Sequence, residues 1–224
     1  MIRFSEAWDY QKKLLLEVQQ IKSANVGLPL VEQTTQVNYL LFCEHPHVFT
    51  LGKSGKENNL LVNEDFLRQK GAEFYKIDRG GDITYHGPGQ IVGYPIFDLE
   101  AFGLGIKQYV YNLEEAIIQT LDHYSIKGER LHGATGVWLD TRRSGKARKI
   151  CAIGVKVSRA VTMHGFAFNI NTDLDYYSFI NPCGYTDKGV TSLKKELGKE
   201  IEMTEVKQLL LKSFLEVFGL SSEP

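Results

Sequence analysis

The sequence predicts an α/β protein: a mixed β-sheet flanked by helices. Three observations carry this. Apolar residues recur at spacings of three and four near both ends and once in the middle, the mark of helices packed by one face. Between them lie runs rich in β-branched and aromatic residues, punctuated by glycine, which read as strands. The strands follow one another through short turns, without the βαβ alternation of a doubly wound nucleotide fold, so the sheet is expected to be mixed.

Residues 6–22 predict the first helix, with Ala7, Tyr10, Leu14, Val18 and Ile21 on one stripe and Ser5 placed to cap it. VNYLLFC (37–43) is apolar throughout and reads as a buried strand. EHPHVFTLGK turns and enters a second short strand. Asn63 caps a short helix over 64–70 that Gly71 ends. EFYKID, DITYHG and QIVGYPIFDL, between 73 and 99, read as strands. Helical spacing returns over 106–124 through Ile106, Val110, Leu113, Ala116, Ile117 and Leu121. The segment 136–171 predicts three more strands, GVWLD, KICAIGVKV and VTMHGFAFNI, the first two joined by the turn TRRSGKAR. A helix near 204–218, capped by Thr204, closes the chain. No repeat, low-complexity tract or linker interrupts this order, so residues 1–224 are expected to form a single domain.

Composition narrows the function classes. A chain of 224 residues can bury a core without staples. Its net charge of −1 gives no support to a general polyanion or nucleic-acid binder. Cys43, Cys151 and Cys183 are too few, and odd in number, for a disulfide framework, so a reducing compartment is expected. The N-terminus carries early acids and no uninterrupted apolar core, which does not read as a signal peptide. No apolar run approaches the roughly 20 residues that span a bilayer. The protein is expected to be cytoplasmic.

The most informative stretch is RGGDITYHGPGQIVGYPIFDL, residues 79–99. Gly80, Gly81, Gly87, Gly89 and Gly93 crowd a segment whose Arg79, Thr84, Tyr85, His86 and Gln90 supply polar groups. Glycine lets a ligand approach the backbone, and Pro88 stiffens the loop. A hairpin with bulges would use the same glycines for chain geometry alone. The segment is neither a GxxxxGK[ST] loop nor a GxGxxG fingerprint, so phosphate cradling is not indicated.

Cys183 sits in INPCGYTDKG, flanked by Pro182 and Gly184, and belongs to a turn that can turn its sulfur to a cleft. Its ordinary alternative is a small half-buried turn residue. Cys43 ends an apolar strand and Cys151 lies within one, where packed, inert thiols are expected. Lys149 opens the strand of Cys151 and is a candidate cation to favour a thiolate, although a strand-end lysine is commonly just solvated. His86 or His164 could pair with a cysteine. His45 and His47 flank Pro46 in a turn. No CxxC, HxxxH or HExxH occurs, so no metal site is expected.

RGGDITYHGPGQIVGYPIFDL, KICAIGVKVSRAVTMHGFAFNINTDL and INPCG resemble, in order and spacing, the three signature segments of the lipoyl(octanoyl) transferases, the octanoyl-[acyl-carrier-protein]:protein N-octanoyltransferases. The resemblance spans most of residues 35–195 and leaves out the terminal helices. It implies the fold of the biotin and lipoate protein ligases and a two-step acyl transfer without cofactor. The family's nucleophile falls on Cys183, which would take octanoyl from acyl carrier protein as a thioester. The family's lysine falls on Lys149, which would lower the thiol pKa and shuttle protons. The acceptors would be lysines on the lipoyl domains of 2-oxoacid dehydrogenases and on glycine cleavage H protein. Substrate contacts fall on Arg79, Gly80, Gly81, Asp82, Ile83, Thr84, Tyr85 and His86, on Ala152, Ile153 and Gly154, and on Gly165, Phe166 and Ala167. The small residues among them would line an acyl tunnel, and backbone N–H groups there could hold the oxyanion. A monomer is expected.

Two points stay open at this level. Cys151 lies two residues from Lys149, on the same strand face by period two, so the nucleophile is not unique. Basic residues Arg142, Arg143, Lys146 and Arg148 could meet an acidic carrier protein or simply solvate a hairpin turn. Two rival functions share the motif-bearing region: an ATP-dependent lipoate or biotin ligase, and a non-catalytic acyl-binding module.

Overall fold

In the computed structural model, residues 1–181 and 188–220 are described. Among them the strands form two sheets. The larger runs β1 (Tyr39–Cys43), β5 (Gln90–Ile96), β9 (Val161–Asn169), β8 (Arg148–Ser158), β7 (Ala134–Leu139) and β6 (Glu129–Leu131), each antiparallel to its neighbour. A seventh strand, β10 (Gly189–Val190), pairs in parallel with the start of β8. The smaller sheet places β2 (Val48–Leu51) between β3 (Glu73–Lys76), which is parallel, and β4 (Ile83–His86), which is antiparallel. The predicted mixed pairing is present, divided between two sheets.

Helices α3 (Ile106–Asp122) and α5 (Met203–Phe218) cover one face of the large sheet. Leu113, Ile117, Leu121, Leu210 and Phe214 pack there with Ile150, Cys151, Phe166 and Phe168. On the opposite face, α1 (Phe4–Asn25) lies over the β5 end: Leu14, Leu15 and Val18 meet Ile96, Val161 and Met163, and Ala7 meets Val92 and Tyr94. The small sheet has its own core of Phe49, Leu51, Ile83, Tyr85 and Ile180, closed by Leu67 of α2 (Glu64–Gln69). Its loop at Gly80 docks on β8, the Gly80 N–H donating to the Val155 carbonyl at 2.9 Å.

Several local expectations hold. The Asn63 side chain accepts from the Phe66 N–H at 2.8 Å, and Gly71 follows α2 with φ +67°. Others shift. Helix α1 begins at Phe4, so Ser5 lies inside it, and Arg3 holds the cap position without a side-chain bond. Its buried stripe adds Phe4, Gln11, Leu15 and Gln19 and leaves Tyr10 exposed, because two sheets and not one lie beneath it. Strand β1 is half-buried, being the edge of the large sheet. Glu202, not Thr204, caps α5, its carboxylate accepting from the Thr204 N–H. β6, β10 and α4 (Leu193–Leu197) were not anticipated; each is too short to show a period. Among the described residues no helix is long and apolar enough to cross a membrane.

Candidate active site

A cavity of about 590 Å³, within the range of small-molecule sites, opens between the large sheet and the small sheet. Its floor is built by strand register. Ala152 of β8 lies opposite Ala167 of β9, which lies opposite Val92 of β5; Gly154 lies opposite Gly165. The two glycines serve close packing first. A Cβ on Gly154 would stand 2.8 Å from the Gly80 carbonyl and 3.1 Å from Arg79 Cδ, and one on Gly165 would collide with the Gly93 carbonyl. Here the chain-geometry reading of glycine prevails, and the alanines form the open floor.

Arg79, Gly81, Asp82, Ile83, Thr84 and His86 line the cavity, as do Ala152, Ile153, Gly154, Gly165, Phe166, Ala167 and Lys149. Gly80 and Tyr85 stand behind the wall. Gly80 is occupied with Val155, and Tyr85 is fully buried, its hydroxyl bonded to His47 Nδ1 at 2.7 Å and its ring stacked on Tyr176. Strand alternation turns Tyr85 away from the side on which Thr84 and His86 meet the cavity. Tyr94, Asn169, Tyr177, Trp138 and Phe4 also line it and were not foreseen. Asn169, a polar residue ending an apolar strand, carried a signal; Phe4, from a helix far away in sequence, carried none.

The back wall is a buried hydrogen-bond relay. Arg79 Nη2 donates to the Thr50 carbonyl at 2.7 Å and to its hydroxyl at 3.0 Å. His86 Nδ1 donates to Gln90 Oε1 at 2.9 Å, and Gln90 Nε2 donates to Asn169 Oδ1 at 2.8 Å. Tyr177 donates to the same Asn169 oxygen at 3.2 Å. Burial drives the His86 pKa down to about 3, so it is neutral at neutral pH. His164, also in the wall, adopts φ +60° within β9, and its Nε2 lies 3.0 Å from Asp78 Oδ1. Burial outweighs that carboxylate and lowers His164 to about 4. Asp78 is itself held at about 2: burial opposes, but the bonds from His164 and Lys156 win. Neither histidine has a described thiol partner.

Lys149 stands at the polar mouth. Its Nζ donates to the Thr135 carbonyl at 3.1 Å and lies 4.6 Å from the Trp138 ring centroid. Cys151 does not share that side. Trp138 pairs with Lys149 and Val137 with Cys151, so β8 carries one extra residue against β7. This bulge reverses the alternation, sending Lys149 to the cavity and Cys151 into the helix-covered core. Burial pushes the Cys151 thiol far up. Cys43 is likewise pushed up, to about 12, again by burial. Cys183 lies outside the described residues; Asn181 before it and Lys188 after it both line the cavity.

The basic hairpin is mostly committed elsewhere. Arg148 bonds Asp140 at 2.5 Å and Glu196 at 2.6 Å, and Arg143 lies 3.6 Å from Asp140. Among the described residues no three His, Cys, Asp or Glu side chains gather as a metal site.

The profile of the lipoyl protein ligase A/B catalytic domain matches residues 4–215. An octanoyltransferase of Parabacteroides distasonis is 65% identical over 182 residues, 81% of this chain and 82% of that one. An octanoyltransferase of Bacteroides fragilis is 54% identical over 96% of this chain and 93% of its own. Among solved structures, a bi-partite lipoate protein ligase from Thermoplasma acidophilum superposes with a TM-score of 0.66 at 14% identity, covering 94% of this chain and 81% of that one, a likeness of fold. With a family profile spanning nearly the whole chain and relatives of this identity, the chain belongs to the lipoyl protein ligase A/B catalytic-domain family, among its octanoyltransferases.

Proposed function

We propose that the protein moves an octanoyl group from acyl carrier protein to a lysine of lipoyl domains through a thioester on Cys183. The observation that carries this is the cavity mouth. Lys149 and the residues that flank the Pro-Cys-Gly string in the chain, Asn181 and Lys188, line one alanine-floored slot. Such a slot supports acyl relay: it offers an apolar berth, worth about 0.8 kcal/mol for each buried methylene, and Lys149 supplies the cation that a thiolate nucleophile needs nearby.

In the first step the Cys183 thiolate attacks the carrier thioester carbonyl. A new S–C bond forms, the carrier sulfur leaves, and Lys149 gives it a proton. In the second, the acceptor lysine amine attacks the enzyme thioester, N–C forms, S–C breaks, and the amine's proton returns through Lys149. Thioester exchange is near isoenergetic and thioester to amide is downhill, so neither step needs ATP. The acceptors are lipoyl domains of 2-oxoacid dehydrogenases and glycine cleavage H protein, and the enzyme acts as a cytoplasmic monomer.

Intact-mass spectrometry after mixing with octanoyl-acyl carrier protein tests this. One added octanoyl group, absent in Cys183→Ser, is the expected result. No adduct on the wild type favours a binding module. Octanoylated lipoyl domain made from ATP and free octanoate, without carrier, identifies a ligase instead.

A further inference from the structure

Resting on the acyl-transfer reading above, we propose that β5 sets the acyl-chain length, with Val92 as the residue that stops the chain. Strand register puts side chains of one sheet face in rows. One row runs Ala152, Ala167, Val92 across β8, β9 and β5. The next runs Gly154, Gly165 and then Tyr94, which stands two residues beyond Val92 on the same face of β5. The alanine row is the open one and passes from single-methyl side chains to the branched Val92 at β5, whereas the glycine row is closed over by the Gly80 carbonyl and Arg79.

The dimensions agree. Neighbouring strands lie about 4.8 Å apart, so the small-residue floor from β8 to β5 spans about 10 Å. An extended eight-carbon chain measures roughly 9 Å from ordinary C–C bond geometry. Lys149 and Lys188 line the slot near the start of β8, and Phe4, Ile77 and Val92 supply apolar lining beside the polar wall of His86 and Asn169. A chain entering past Lys149 and lying across the alanines brings its methyl end against Val92.

The stop cannot yield. Ala7 of α1 backs both Val92 and Tyr94. The Tyr94 hydroxyl donates to His45 Nε2 at 2.7 Å, while His45 Nδ1 donates to the Ile2 carbonyl at 2.8 Å. The Phe4 ring meets His45 edge-on at 5.5 Å and stacks on His86 at 6.2 Å. Valine is itself stiff at χ1. A longer chain must overpack this wall, whereas a shorter one only leaves contact unmade.

The test compares wild type, Val92→Ala and Val92→Leu on hexanoyl-, octanoyl- and decanoyl-acyl carrier protein, by intact mass of the acyl-enzyme and by kcat/KM. Val92→Ala is expected to raise the decanoyl-to-octanoyl ratio about tenfold or more, and Val92→Leu to raise the hexanoyl-to-octanoyl ratio similarly. Circular dichroism checks folding, and Val92→Ile, which adds one methylene, takes the place of Val92→Leu should that variant not fold. Unchanged ratios in folded variants, beside an active wild type, overturn the length assignment and leave acyl transfer standing. A wild type that takes up no acyl group from any of the three carriers overturns both.

Discussion

At the scale of single residues, the site is decided by which way a side chain faces. Lys149 and Cys151 are two apart on one strand, and simple alternation sets them on the same side. The bulge in β8 separates them. Lys149→Ala should fold, since it removes one half-buried side chain whose Nζ meets the Thr135 carbonyl and the Trp138 ring, and should slow acylation by about 10²–10⁴-fold if it manages protons. Rapid-quench acylation rates unchanged across pH 6–9 would remove that role. Cys151→Ala should leave transfer within about twofold and cost about 1 kcal/mol of stability, as a small core truncation. Urea titration and the transfer assay measure the two effects. Loss of the acyl-enzyme in a folded Cys151→Ala would move the nucleophile. The candidate site residues were named from sequence by the resemblance of the signature segments. The sides taken by Tyr85 and Cys151 were not, because each depends on partners in another strand.

At the scale of elements, β8 and β9 form the hairpin that carries most of the floor. Its two-residue turn uses Arg159 at φ 51° and Ala160 at φ 62°, the conformation of a type I′ turn, which side chains with a Cβ adopt at some cost. Arg159→Asn with Ala160→Gly should therefore stabilise the protein by about 1–2 kcal/mol without changing transfer. A thermal melt that falls instead would mean the native side chains contribute more than the strain costs. The long helices and the glycine-rich strands were readable by period and by turn chemistry. β6, β10 and α4 were not, because two- to five-residue elements are stabilised by tertiary pairing and not by their own pattern.

At the scale of the whole molecule, the two sheets are joined across the cavity by buried polar groups whose protonation matters. His86 and His164 titrate near 3 and 4 when folded but near 6.5 when unfolded. Between those values the unfolded chain binds more protons, so stability falls as pH drops from about 6.5 towards 4. His45, also lowered by burial, adds in the same direction. Asp78 works lower: held at about 2 against about 3.9 unfolded, it contributes stability that is complete above pH 4 and lost towards pH 2. Urea unfolding free energies should therefore decline by a few kcal/mol between pH 7 and pH 4.5, and His86→Gln should flatten that slope. A pH-independent free energy over this range would show that the histidines are not neutral in the folded state.

The sequence by itself determined the α/β class and the order of the main helices and strands, and its signature segments carried the resemblance that marks the family and the proposed site residues. Class and order follow from local periodicity and turn residues, and the family from its signature strings, all of which are properties of neighbours in the chain. Tertiary structure alone decided that the strands divide into two sheets, that Phe4 of α1 reaches the cavity, and that a single extra residue in β8 parts Lys149 from Cys151. It also set Val92 at the end of the alanine floor. Each of these depends on register between strands far apart in sequence, and a shift of one residue there exchanges the two faces of a strand.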